Sequence, residues 1–180
     1  MRQLGISIYP NHAGFEENKA YLKLAHKYGF KRIFTCLLSV EGDENKIVKE
    51  FKDIILEANK LCMEVIADVS PSVFGKLGIS YKDLSFFNDL NTYGIRLDMG
   101  FSGLEESIMT FNDYGLNIEI NMSNGTKYLE NIMSYKPNTE KLLGCHNFYP
   151  HRYSGLSYKH FMYCTKQFKQ CGITTAAFVS

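Results

Sequence analysis

Two acidic residues stand on the polar faces of consecutive strand-like segments. Asp98 lies in 95–99 (IRLDM) and Glu119 in 116–121 (LNIEIN). In the first, Ile95, Leu97 and Met99 alternate with Arg96 and Asp98; in the second, Leu116, Ile118 and Ile120 alternate with Asn117, Glu119 and Asn121. A strand turns successive side chains to opposite faces. Each acid therefore shares a face with other polar groups. Neighbouring parallel strands run about 4.8 Å apart, so carboxyl groups at one level would reach the same substrate. Close carboxyl groups push their pKa values apart and leave one protonated near neutrality. A proton donor beside a carboxylate base or nucleophile is what glycoside hydrolysis needs.

Further candidates stand where other strand-like runs end. They are Ser7 and Tyr9, Thr35, Asp68, and His146 with Asn147. The competing reading of the polar set is a structural network, with Arg96 pairing to Asp98 or Glu119. His26 and His160 fall in helical patterns, and His12 follows the first strand. His146 and His151 flank an aromatic loop, HNFYPHR. No HxH or HExxH spacing occurs, so no metal is expected. No GxSxG elbow occurs, so Ser7 is not read as a nucleophile.

The elements that must carry these residues are marked by a recurring junction. KYGFKRIF (27–34), TYGIRLDM (92–99), DYGLNIEI (113–120) and QCGITTAA (170–177) each join a helix end, a Gly and an apolar run. Gly ends a helix in the left-handed conformation, and branched residues then favour a strand. Repeated junctions of this kind imply parallel strands with crossover helices. The pattern predicts strands at 4–9, 32–37, 63–68, 95–99, 116–121, 142–147 and 173–179. Three helical stripes are predicted to pack on them: Tyr21/Leu24/Ala25/Tyr28, Ile47/Phe51/Ile54/Ala58/Leu61 and Phe161/Cys164/Phe168/Cys171. Ser102 with Glu105, before Leu104/Ile108/Phe111, reads as a capping box. Because the helices carry apolar stripes, the apolar strand faces must meet them, and the polar faces point inward.

Seven βα starts indicate an α/β fold, a (β/α)8 TIM-barrel-like domain stopping after its seventh strand. A complete barrel takes about 250 residues and rarely fewer than about 200; this chain has 180. An open doubly wound sheet would carry a GxGxxG fingerprint after the first strand. SIYPNHAGF carries none. No linker or low-complexity tract divides the chain, so 1–180 reads as one domain.

Composition narrows the function. A 45% hydrophobic content excludes whole-chain disorder. Lys plus Arg is 20 against 19 Asp plus Glu, which argues against a broad basic face for nucleic acid. No run approaches the ~18 apolar residues of a membrane helix, and MRQLGISIYPN lacks a secretory apolar core. Five cysteines, an odd number without a CxxC, read as free, buried thiols in a reducing cytoplasm.

Six motifs occur in order: LGISIYP (4–10), RIFTCLLS (32–39), ADVSP (67–71), IRLDMGFSG (95–103), IEINMSN (118–124) and HNFYPHRYSGLS (146–157). Together they resemble the barrel domain of the bacterial 6-phospho-N-acetylmuramidase family, across essentially the whole chain. The resemblance implies a cofactor-free intracellular glycosidase. Its substrate would be a phosphorylated amino-sugar disaccharide, cleaved after 6-phospho-N-acetylmuramic acid during recycling of cell-wall fragments. By motif, Asp98 and Glu119 are the acidic pair, with Asp68 of ADVSP in reserve. Ser7, Tyr9, Arg96, Asn121, His146, Asn147 and Tyr149 would line the sugar site. Arg152, with His151 nearby, would clamp the phosphate or lactyl carboxylate. The family also carries an eighth βα unit and a cyclophilin-like C-terminal domain, which this sequence lacks. An open seam between the first and seventh strands is therefore expected, its edges unpaired or covered by another chain, as in a homo-oligomer. Two alternatives stand beside the glycosidase: a non-catalytic sugar-phosphate-binding barrel and a metal-dependent sugar isomerase or epimerase.

Overall fold

Strand follows helix around a closed ring in the computed structural model, which describes residues 4–10, 12–36, 43–121, 126–148, 166–167 and 169–179. The order is β1 (Leu4–Ile8), α1 (Phe15–Lys27), β2 (Arg32–Cys36), α2 (Glu44–Lys60), β3 (Glu64–Val69), α3 (Pro71–Leu77), α4 (Ser85–Asp89), β4 (Gly94–Leu97), α5 (Gly103–Met109), β5 (Asn117–Asn121), α6 (Thr126–Ser134), β6 (Leu142–Phe148) and β7 (Thr174–Val179). Every strand pairs in parallel with the next. The expected open seam is absent. β7 pairs directly with β1, Leu4 opposite Ala177, Gly5 opposite Phe178 and Ile6 opposite Val179. Seven described strands thus close the barrel, and closure leaves no edge to template aggregation.

The helix ends explain the junction motif and one exception to it. Gly29, Gly115 and Gly172 have φ of 83°, 76° and 74°, the left-handed region that glycine enters without steric cost. Gly94 does a different job as the first residue of β4. A Cβ there would meet the Asn117 carbonyl oxygen at 2.4 Å. At that junction the left-handed residue is Asn91, with φ 58°.

The apolar core lies between strands and helices. Ile6, Ile8, Ile33, Val65, Ala67, Val69, Ile95, Leu97, Ile118 and Ile120 meet Leu22, Phe51, Ile54, Ile55, Phe74, Phe87, Met109 and Ile132. Burying each large side chain contributes roughly 1.5–3 kcal/mol. α2 uses much of its predicted stripe, with Phe51, Ile54 and Ala58 buried and Leu61 packed at the margin.

Two other helices are rotated from expectation. α1 buries Asn18, Leu22 and Ala25, leaving Tyr21, Leu24 and Tyr28 exposed. The inward stripe contains a polar residue because Asn18 Nδ2 donates to the Ala13 carbonyl, tying the β1–α1 loop to the helix. α5 keeps the predicted Ser102–Glu105 capping box, yet Leu104 and Phe111 are exposed, and Glu106, Ser107 and Met109 are buried. In the third stripe Phe161, Cys164 and Phe168 lie outside the described residues, while Cys171 packs against the core. Cys36 is buried and Cys62 exposed; Cys62 occupies the turn after α2 with φ 54°, which corrects the expectation that every thiol is buried.

Candidate active site

The period of two sorts the strand residues. Arg32, Phe34 and Cys36 of β2 share the face opposite Ile33, which packs among the helices. By the same alternation the lumen receives Glu64, Ile66 and Asp68 from β3, Arg96 from β4 and Glu119 from β5. Thr35 falls on the helix side. Its Oγ1 is buried without a hydrogen-bond partner among the described residues, so it does not join the mouth.

A charge network forms the floor. Arg96 reaches Glu119 Oε1 through Nε at 2.7 Å and Nη2 at 2.6 Å. Its guanidinium lies 3.8 Å from the centroid of the Phe34 ring, a cation–π contact. Arg32 donates to Glu64 Oε2 at 3.0 and 3.2 Å and sets Nη1 3.7 Å from Glu119 Oε2. It also lies over the Tyr93 ring. The Glu119 side chain is 0% exposed. Two guanidinium groups thus converge on one carboxylate, the arrangement that makes a buried charge tolerable.

The mouth holds a different pair of acids. Asp68 stands opposite Cys36 and Arg96 on its two neighbouring strands. Burial pushes its carboxyl up to about 6; Arg96 and the Cys36 hydrogen bond hold it back, and Asp98 and Glu119 add to the rise. Asp98 follows β4 and is exposed. Its N–H donates to the Val69 carbonyl at 2.9 Å, carrying the β3–β4 ladder one residue further. Its Oδ1 accepts from the Met99 N–H at 2.8 Å. Adjacent strands therefore deliver a half-buried carboxyl pushed up to about 6 and a solvent-facing one, and the charge of the second is felt by the first.

The expected pairing of Asp98 with Glu119 at one level is not what the register gives. Arg96 stands opposite Glu119, and Leu97 opposite Ile120. Glu119 is thus a full pleat below Asp98, and Arg96 shares its level. Tyr9 lies at the mouth, 36% exposed. Its ring sits 5.3 Å from that of His12 and edge-on to Phe34 at 6.4 Å. An aromatic and cationic column, Tyr9–Phe34–Arg96, runs from mouth to floor. Ser7 is half-buried on β1. The backbones of Asn121, His146 and Asn147 end β5 and lie along β6, opposite Cys145, Ala177 and Phe178. Tyr149, His151 and Arg152 lie outside the described residues.

Three participants were missed in the sequence: Arg32, Phe34 and Cys36. All three were legible, since the alternation applied to 95–99 and 116–121 also separates Arg32, Phe34 and Cys36 from Ile33 and Thr35. His12, which its position after the first strand allows to reach the mouth, stacks beside Tyr9 there. Among the described residues, no group of three or more His, Cys, Asp or Glu could hold a metal ion. No described helix is long and apolar enough to cross a membrane.

Residues 4–180 match the family described as 6-phospho-N-acetylmuramidase, N-terminal. No curated protein matches the chain. An uncharacterized protein of B. cereus is 49% identical, with a TM-score of 0.75 over 97% of this chain and 46% of its own. A conserved Enterococcus faecalis protein of unknown function is 20% identical, with a TM-score of 0.75 over 96% of this chain and 47% of its own. A Bordetella bronchiseptica protein assigned to the mandelate racemases shares the fold at 8% identity, with a TM-score of 0.64 over 99% of this chain and 51% of its own. The chain spans about half the length of these structures.

Proposed function

The chain belongs to the 6-phospho-N-acetylmuramidase N-terminal family, and from that premise we propose that it forms the catalytic barrel of a cytoplasmic glycoside hydrolase. Its substrate is a 6-phospho-N-acetylmuramyl disaccharide released in cell-wall recycling. One observation carries the reading: Asp68 and Asp98 rise from adjacent strands at the barrel mouth, and burial leaves Asp68 with a carboxyl pushed up to about 6.

Asp68 is the proton donor. It protonates the glycosidic oxygen as the bond to the anomeric carbon breaks, so the departing sugar leaves as an alcohol. Asp98 is the carboxylate on the solvent side. It either takes a proton from the attacking water or adds to the anomeric carbon and is displaced by water afterwards. An acetamido group on the substrate offers a third route, in which its carbonyl oxygen attacks first. Whichever route operates, one water is consumed, its OH passing to the anomeric carbon and its H to the other sugar.

Glu119 takes a supporting part in this account. It neutralises Arg96 beneath Asp68 and so limits how far that cation draws the proton off the donor. Tyr9 and His12 form an apolar platform for a sugar face. Ser7, Asn121, His146, Asn147 and Tyr149 supply hydrogen bonds to its hydroxyls, and Arg152 with His151 clamps the phosphate or lactyl carboxylate.

Incubation of the chain with 6-phospho-N-acetylmuramyl-N-acetylglucosamine tests the proposal. The expected result is release of both sugars, with Asp98→Asn lowering kcat/KM by about 10²–10⁴. The product anomer separates retention from inversion. A second reading is a sugar-phosphate-binding barrel without catalysis. Calorimetric binding without turnover would favour that reading, and wild-type turnover by the Asp98→Asn variant would refute the role given to Asp98.

A further inference from the structure

The proton donor proposed above has a partner on the strand that precedes its own. Cys36 ends β2, and Asp68 is its partner in register on β3. The Cys36 Sγ lies 3.5 Å from Asp68 Oδ2, within the range of an S–H···O hydrogen bond. The cysteine is 9% exposed, so water competes weakly for the contact. The charged and titratable groups facing Asp68 are Cys36 from β2, Arg96 from β4, Asp98 just after it and Glu119 from β5. Of these, Arg96 directs its Nε and Nη2 to Glu119. The Cys36 thiol is a hydrogen-bond donor that the described residues bring to Asp68.

Donor strength gives this contact a consequence. A thiol is a weak donor compared with a hydroxyl. A strong donor favours the charged form of a carboxyl and promotes proton loss, whereas a missing donor leaves the carboxyl free to rotate. A weak donor orients the group and promotes its proton loss less than a hydroxyl would.

We propose that Cys36 is a positioning residue for Asp68, its thiol fixing the carboxyl at the barrel mouth and setting how readily that carboxyl gives up its proton. The inference rests on the reading of Asp68 as the proton donor, but its geometry can be tested without any substrate. Titration of the Asp68 carboxyl by ¹³C NMR, assigned by loss of its signal in Asp68→Asn, reads the effect directly. Cys36→Ser should lower the Asp68 midpoint and Cys36→Ala should raise it, each by about half a pH unit. Near-UV circular dichroism establishes that each variant is folded, and if the serine variant is not, the alanine variant decides.

In a kinetic assay the alkaline limb of kcat/KM should move with the NMR midpoint, with KM unchanged. An Asp68 midpoint that stays in place in the folded variants overturns the inference. Midpoints that move in a protein showing no turnover support it and count against the glycosidase reading. A purely structural role for Cys36 would lower thermal stability without moving either titration.

Discussion

Glu119→Gln isolates the buried network on which the floor of the lumen depends. The substitution keeps the shape and leaves a carbonyl oxygen for Arg96, but it removes the charge that two cations share. At an effective dielectric near 20, unit charges 2.6 Å apart attract by about 6 kcal/mol and those 3.7 Å apart by about 4 kcal/mol. Much of this attraction repays the desolvation of the three ions, so the net cost of the substitution is smaller. Removing one partner from a buried pair costs about 3–5 kcal/mol, because the other charge stays buried and uncompensated. Arg96 carries most of that penalty here, since its side chain is 3% exposed, whereas Arg32 retains Glu64. Urea unfolding at pH 7 should therefore show Glu119→Gln less stable by about 3–5 kcal/mol. Adding Arg96→Met should recover at least about 2 kcal/mol, because the orphaned cation is then gone. A loss below about 1 kcal/mol, or no recovery in the double variant, would refute the argument that Arg96 and Glu119 sustain one another.

Two further consequences concern stability. Burial pushes the Glu106 carboxyl up to about 7, Tyr128 restraining it and Glu105 adding to the rise. The native state therefore keeps a proton that the unfolded chain releases from about 4.5 upward. Stability falls as pH rises through that window, and Glu106→Gln should stabilise the protein by about 3 kcal/mol at pH 8 but little at pH 4, as read from unfolding curves at the two pH values. Gly94→Ala should cost about 3 kcal/mol in the same assay, since the added methyl meets the Asn117 carbonyl oxygen, a backbone atom, at 2.4 Å.

Legibility followed the physics of each element. All seven strands were readable, because β-branched residues after a helix-ending residue leave few alternatives, and the observed bounds differ by one or two residues. Ring closure was not readable, since pairing of β7 with β1 is set by barrel geometry and not by any local pattern. The α1 and α5 faces were misread where a polar residue takes an inward position, Asn18 through its bond to Ala13 and Glu106 through its bond from Tyr128. Hydrophobic periodicity carries no signal for such positions.

At the site, alternation placed Arg96, Asp98 and Glu119 on inward faces, and position at a strand end picked out Asp68. Their height was hidden, because it depends on inter-strand register: Arg96, not Asp98, stands opposite Glu119. Depth along the barrel therefore separates the ion-paired acid of the floor from the acids at the mouth, a distinction that residue type alone does not make.

The most direct measurement is the pH dependence of kcat/KM on the phosphorylated muramyl disaccharide, wild type against Asp68→Asn. A donor with its carboxyl pushed up to about 6 is active while protonated, so wild-type kcat/KM should fall about tenfold per pH unit above that value. The Asp68→Asn variant should lose that limb together with about 10²–10⁴ of the rate. A variant that keeps the wild-type rate and the same limb would contradict the assignment of Asp68 as the proton donor.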